Sequence, residues 1–270
     1  MDTGLKDKVV FITGASGGIG AAVAELMAAE GARLVLHRHK GQKRATALAE
    51  RLPGDPLVVT ADVAREDQVE TAFEAALKRW GQIDVLVANA GIWPEQAAPV
   101  HEMTLARWQQ VMDVNLTGVF LSTRAFFRHL ARRRPPDAAL ILMGSTAAMF
   151  GEEGHAAYAA GKAAITHGLT LSLKNEIVRL SPGGRVNAVC PGWTRTPMAA
   201  AGLKDDDAVR SVLQTRSLTK IAEPKDVAAA VVYLASPVLA GHVSGQILTV
   251  AGGMEGRLLH RPDTVNPAQA

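Results

Sequence analysis

The chain has 270 residues and a mass of 28.5 kDa; 48% of the residues are hydrophobic, 20% are charged, and the formal net charge is +3. Those values exclude a largely disordered chain, and a single cysteine, Cys190, excludes a disulfide framework and a cysteine-based zinc cluster. The length suits one large domain that needs no covalent staple.

From the amino terminus, Met1–Lys8 carries charges where a secretory leader would have its apolar core. No uncharged apolar stretch reaches the ~18–20 residues of a spanning helix. The protein is therefore expected in the cytoplasm. Beyond this start, β-branched runs alternate with alanine-rich stretches of helical period. Strands are predicted at Val9–Thr13, Arg33–His37, Leu57–Thr60, Ile83–Ala88, Ala139–Met143, Arg185–Val189 and Gln246–Val250. Helices are predicted at Gly18–Glu30, Gly41–Arg51, Glu66–Trp80, Thr104–Arg134, His155–Leu180 and Pro224–Ala235. Such alternation builds βαβ units, hence a parallel sheet with helices on both faces. The strands are nearly continuous apolar runs, as a sheet covered on both faces requires. The reading is one α/β doubly wound domain over 1–256. A substrate loop is expected near 193–216, and a loosely held polar tail over 257–270.

The first strand leads into Gly14-Ala15-Ser16-Gly17-Gly18-Ile19-Gly20 and a helix. Glycines there let the backbone turn tightly and approach a pyrophosphate, which the helix amides and dipole then hold. Gly14-x-Ser16-x-Gly18 also matches a hydrolase nucleophile elbow. That rival needs an acid and then a histidine downstream, and no local pattern marks either. At the end of the second strand stand His37-Arg38-His39-Lys40, with no acidic residue from Gly31 through Ala49. A carboxylate would bond the ribose hydroxyl of NAD, whereas a guanidinium pairs with the 2′-phosphate of NADP. Arg38 therefore argues for NADP(H). His37 and His39 share a strand face, but no third ligand makes them a metal site.

Arg132-Arg133-Arg134 precedes Pro135-Pro136 and reads as a solvated helix end. Interspersed charge and a 4% aromatic content argue against nucleic-acid binding. The fifth strand delivers Ser145 at its carboxyl end, where open α/β sheets bind ligands. Tyr158 and Lys162 follow at i, i+4 on one helix face. A phenol with a pKa near 10 needs a nearby cation to act as a base at neutral pH, and Lys162 is placed to supply it. The flanking loops Ile92–His101, Thr146–Gly154 and Trp193–Arg216 offer Trp93, Met149, Phe150, Trp193 and Met198, which suggests a partly apolar pocket. Glu95, Glu152, Glu153, His155 and Arg195 are expected to face solvent.

Together these residues resemble the short-chain dehydrogenases/reductases, from Lys8 to about Gly253, and the ketoacyl reductases among them. Thr13–Gly20 matches the family's Thr-Gly-x-x-x-Gly-x-Gly cofactor motif, and Asn89-Ala90-Gly91 its Asn-Ala-Gly motif. The resemblance makes Asp62-Val63 the pair that holds adenine. Pro191-Gly192, with Thr194 and Thr196, becomes the segment packed on the nicotinamide. It gives Asn115, Ser145, Tyr158 and Lys162 as the catalytic set, with Asn115 keeping a water in the proton relay. It implies the sheet order 3-2-1-4-5-6-7 and an active homotetramer, or a dimer. It also places Gly14, Ser16, Gly18, Ile19, Gly20, Arg38 and His39 against the nucleotide. Gly17 departs from the basic residue that many NADP-using relatives carry. Arg132-Arg133-Arg134, besides reading as a solvated helix end, equally resembles the basic surface by which ketoacyl reductases meet acidic carrier proteins. The function implied is an NADP-dependent carbonyl reductase or alcohol dehydrogenase; a non-catalytic nucleotide-sensing or scaffolding module is the alternative.

Overall fold

The computed structural model of the chain describes residues 2–258, 260 and 265–267. Seven parallel strands, β1 (Val9–Ile12), β2 (Arg33–Arg38), β3 (Leu57–Thr60), β4 (Val85–Ala88), β5 (Ala139–Met143), β6 (Arg185–Pro191) and β7 (Ile247–Val250), form one sheet. Its order is β3-β2-β1-β4-β5-β6-β7, as the resemblance implies. The chain reverses direction between β3 and β4, so the crevice beyond the carboxyl ends of β1 and β4 is a switch point of the doubly wound type.

The strand period of two divides the core. Val10 and Ile12 face one layer, with helices α1 (Gly18–Ala29) and α10 (Pro224–Ala235) against them. Val9 and Phe11 face the other layer, built by α3 (Glu66–Trp80) and the helix Gly118–Arg133. α2 (Gln42–Arg51) packs beside β2 and β3. Every residue of β1, β4 and β5 is buried, the physical counterpart of their unbroken apolar runs.

The two long predicted helices are present, each with a π-turn in its middle. The first comprises α4 (Leu105–Met112), a π-turn at Asp113–Thr117, and α5 (Gly118–Arg133). After a short α6 (Ala147–Phe150), the second comprises α7 (Ala156–Ala163), a π-turn at Ala164–Leu169, and α8 (Thr170–Ile177). An inserted residue leaves the apolar stripe almost in phase, so helical periodicity does not announce it.

The expected substrate loop is partly ordered into 3-10 turns at Pro197–Ala199 and Gly202–Lys204 and a helix α9 (Asp206–Leu213). Asp205 caps α9, its carboxylate accepting from the backbone N–H groups of Asp207 and Ala208. Within the tail, residues 259, 261–264 and 268–270 lie outside the described residues. The rest is more firmly held than its polarity suggests. Val265 is buried against Val209, Leu213 and Ile221, and His260 N–H bonds the Gln214 carbonyl.

Candidate active site

The glycine loop closes the carboxyl end of β1. Gly14 has φ +67°, and a Cβ there would stand 3.0 Å from the Ala90 Cα; one on Gly20 would stand 2.4 Å from the Gly14 carbonyl oxygen. Thr13 and Asn89 knit this loop to the next crossover. The Thr13 hydroxyl accepts from the N–H groups of Asn89 (2.8 Å) and Ala90 (2.9 Å), while the Asn89 amide donates to the carbonyls of Thr13 (2.9 Å) and Gly14 (3.2 Å). α1 begins after Gly17 with no side-chain cap and no acidic residue in its first turn. Its first amides and the positive end of its dipole suit a diphosphate.

Beside this loop, Arg38 is half-buried at the end of β2, and its Nε is a buried donor with no partner. An orphaned guanidinium nitrogen next to a glycine loop fits a phosphorylated nucleotide ribose. His39 is exposed just beyond it. Asp62 is half-buried and accepts from the Ala64 N–H, and Val63 is buried against Gly118. Thr196 meets Gly18, so the segment after β6 touches the glycine loop; Thr194 is turned to the Gly192 carbonyl. The protein thus brings the expected nucleotide residues to the carboxyl end of the sheet.

The expected catalytic side chains meet at the carboxyl end of β5. Ser145 is buried, its hydroxyl accepting from the Ala147 N–H at 3.2 Å and lying close enough to the Tyr158 phenol to favour its ionised form. Burial pushes that phenol up to about 12, with Glu152 adding to the rise and the Ser145 hydroxyl opposing it. The expected lowering by Lys162 is absent from the chain by itself. The ammonium lies 5.7 Å from the Tyr158 ring centroid and donates to the Met143 carbonyl at 2.8 Å. Lys162 is itself buried, which pulls it down to about 8.

Asn115 sits on the π-turn between α4 and α5, fully buried. Its side chain is spent on one residue, accepting from the Ile92 N–H and donating to the Ile92 carbonyl, both at 2.8 Å. It therefore fixes the loop after β4. Gly91 separates it from Lys162: a Cβ there would stand 2.9 Å from Asn115 Oδ1 and 3.5 Å from Lys162 Nζ.

Several residues escaped the sequence reading. His37, discounted there as a metal ligand, braces the glycine loop. Its Nδ1 accepts from the Gly14 N–H at 3.1 Å and its Nε2 donates to the Ala61 carbonyl at 3.0 Å, while burial holds it down to about 4. Arg44 folds over Gly41, where an added Cβ would lie 3.1 Å from Arg44 Nη2 and 3.5 Å from Ser16 Oγ. His155 and Glu152 are not turned to solvent. His155 is buried and stacked on Trp93 at 4.6 Å, and the Trp93 indole N–H donates to Glu152 at 2.9 Å. This cluster ties the loop after β4 to the start of the Tyr158 helix. Arg195 is exposed, as expected, and pairs with Glu223.

A family model described as enoyl-(acyl carrier protein) reductase matches residues 14–255. The chain is 37% identical over 255 residues to cis-4-hydroxycyclohexanecarboxylate dehydrogenase of Sinomonas cyclohexanicum, covering 94% of this chain and 98% of that one. It is 35% identical over 255 residues to a 3-oxoacyl-[acyl-carrier-protein] reductase of Synechocystis, covering 93% and 98%. Among solved structures it resembles a short-chain dehydrogenase/reductase (glucose/ribitol dehydrogenase) from Brucella melitensis. The TM-score is 0.85 and the identity 33%, over 94% of this chain and 99% of that one.

Proposed function

The chain belongs to the short-chain dehydrogenase/reductase family, and on that premise we propose that it moves a hydride between NADP(H) and the carbonyl or secondary alcohol of a small to medium, partly apolar substrate. It is an oxidoreductase of CH–OH and C=O groups, in keeping with the dehydrogenases and ketoacyl reductases it is similar to. The observation that carries the reading is the meeting of the Ser145 and Tyr158 hydroxyls beside the buried Lys162 ammonium, at the carboxyl end of the sheet that also holds the glycine loop. A non-catalytic nucleotide sensor would leave that trio without a use.

The nicotinamide supplies or accepts the hydride when bound. Every other task falls to the chain. The Ser145 hydroxyl orients the substrate oxygen, and Tyr158 gives that oxygen its proton during reduction or takes it during oxidation. Lys162 holds ribose hydroxyls and offers its positive charge to a developing phenolate. Asn115 keeps the loop after β4 in register with Lys162 and hence the relay to solvent. Gly14, Ser16, Gly18, Ile19 and Gly20 cradle the diphosphate. Asp62, Val63 and the Asn89-Ala90-Gly91 stretch flank the adenosine half, and Pro191, Gly192, Thr194 and Thr196 the nicotinamide half.

NADP preference rests on Arg38, supported by Arg44, whose guanidinium lies against Gly41 close to Ser16. A charge-assisted phosphate contact contributes about 1.5–3 kcal/mol, so NADPH should bind at least about tenfold better than NADH. Protein fluorescence titration with both nucleotides tests this, and Arg38→Asp should narrow or reverse the ratio. Equal affinities would remove the assignment. The remaining reading is a cytoplasmic homotetramer, or a dimer, whose residues 1–256 act as one domain with a short tail. The one cysteine is a buried free thiol, and no helix among the described residues is long and apolar enough to cross a membrane.

A further inference from the structure

Arg216 is the largest side chain that the described residues bury completely, at 1% exposure. Its Nη1 donates to the Lys220 carbonyl at 3.2 Å, but Nε and Nη2 are buried with no partner. Those two nitrogens form the side-on edge of the guanidinium, the pair of parallel donors that a carboxylate accepts in bidentate fashion. The contrast with Arg185 is direct. That buried arginine gives Nη1 and Nη2 to the carbonyls of Leu234 and Ala235 at the end of α10. It thereby meets the negative end of a helix dipole. Arg216 has no such compensation, and a buried cation without its anion is among the costlier arrangements a fold can hold.

The open edge lies near the chemistry. Nη2 stands 3.4 Å from where a Gly192 Cβ would be. The preceding Pro191 carbonyl accepts from the Thr146 N–H at 3.1 Å, and Thr146 follows Ser145. The segment from Trp193 to Arg216 covers this corner with two 3-10 turns and α9. Backbone bridges Thr194–Ala222 and Arg216–Met254 pin its two ends, and between them a satellite cluster of Val209, Leu213, Ile221 and Val265, apart from the two main cores, holds it. So small a cluster lets the stretch between the two bridges lift while the sheet and Arg216 stay in place.

We propose that Arg216 anchors a carboxylate carried by the substrate, which enters as the stretch between the two bridges lifts and takes Nε and Nη2 as it closes. The substrate class narrows to hydroxy acids and oxo acids. This rests on the carbonyl/alcohol reading above.

The test compares cyclic and linear oxo acids with their methyl esters, following NADPH consumption, in the wild type, Arg216→Met and Arg216→Gln. The wild type should favour acids over esters in kcat/KM by at least about tenfold, the usual weight of a charged hydrogen-bonded contact. That ratio should collapse in either variant, with circular dichroism showing which variant is folded. Equal use of acids and esters by the wild type, or a ratio that survives in a folded variant, overturns the proposal. A second readout needs no turnover. Benzoate should raise the wild-type melting temperature more than chloride at equal ionic strength, and a folded variant should lose the difference. If no carbonyl or alcohol reacts, the proposed activity fails while the benzoate shift still decides the site.

Discussion

Burial presses Tyr158 and Lys162 toward the same end, because both resist carrying charge: the phenol rises to about 12 and the ammonium falls to about 8. For Lys162 the sign has a consequence for stability. Between pH 8 and 10.5 the unfolded chain holds a proton that the folded one has released, so the burial penalty is full below pH 8 and gone above 10.5. A shift of that size corresponds to about 3 kcal/mol. Lys162→Met should therefore stabilise the protein at pH 7 by roughly 1–3 kcal/mol, after some loss of packing, while weakening nucleotide binding. Urea melts at pH 7 and pH 10.5 check it, and an advantage that does not shrink at the higher pH contradicts the account. Tyr158→Phe removes only a hydroxyl, so the fold and NADPH affinity should survive. Turnover should fall by about two to four orders of magnitude; a folded variant with more than about a tenth of the activity would take proton transfer away from Tyr158.

At the scale of elements, the glycine loop is held by a brace that joins three strands. His37 on β2 reaches Gly14 after β1 and Ala61 after β3. It must be neutral to accept from Gly14 and donate to Ala61 at once. Its pKa falls from 6.5 to about 4 on folding, so the unfolded chain binds the extra proton within that window. The stability it lends is whole above pH 6.5 and is lost by about 3 kcal/mol as pH falls to 4. Wild type should exceed His37→Phe in stability at pH 7.5, and the gap should close by that amount toward pH 4. Urea melts of both proteins across that range measure it, and a gap independent of pH would count against a neutral brace. The seven strands were legible because runs such as Leu140-Ile141-Leu142 leave no polar face, and Ser145, Tyr158 and Lys162 because spacing marks them. The His37 brace was not, since its meaning depends on Gly14 and Ala61, which only the sheet order brings together. The π-turn at Asn115 hides for another reason: one added residue barely disturbs the helical stripe. Arg216 hides because sequence gives a charged residue a place in the chain and not a depth in the fold.

For the molecule as a whole, the informative feature is where apolar side chains remain outside. Phe120 on α5 is 46% exposed, and Leu171 on α8 and Val178 at its end are 40% and 46% exposed. Tyr233 on α10 and Leu248 on the edge strand β7 form a second such pair. Single exposed apolar residues are ordinary, but these belong to long helices and an edge strand that present whole faces. An open strand edge also invites pairing with another chain. Two separate faces suit two two-fold contacts, the arrangement that closes a tetramer. Light scattering at micromolar concentration should therefore give a mass four times 28.5 kDa. Leu171→Glu with Val178→Glu should halve it by opening the α5/α8 face, and Leu248→Glu should open the β7 face independently. The charges fall on exposed positions, so the melting temperature of the separated species reports only the loss of contact. A wild-type mass of 28.5 kDa would mean that these faces stay in water and that the site is complete within one chain.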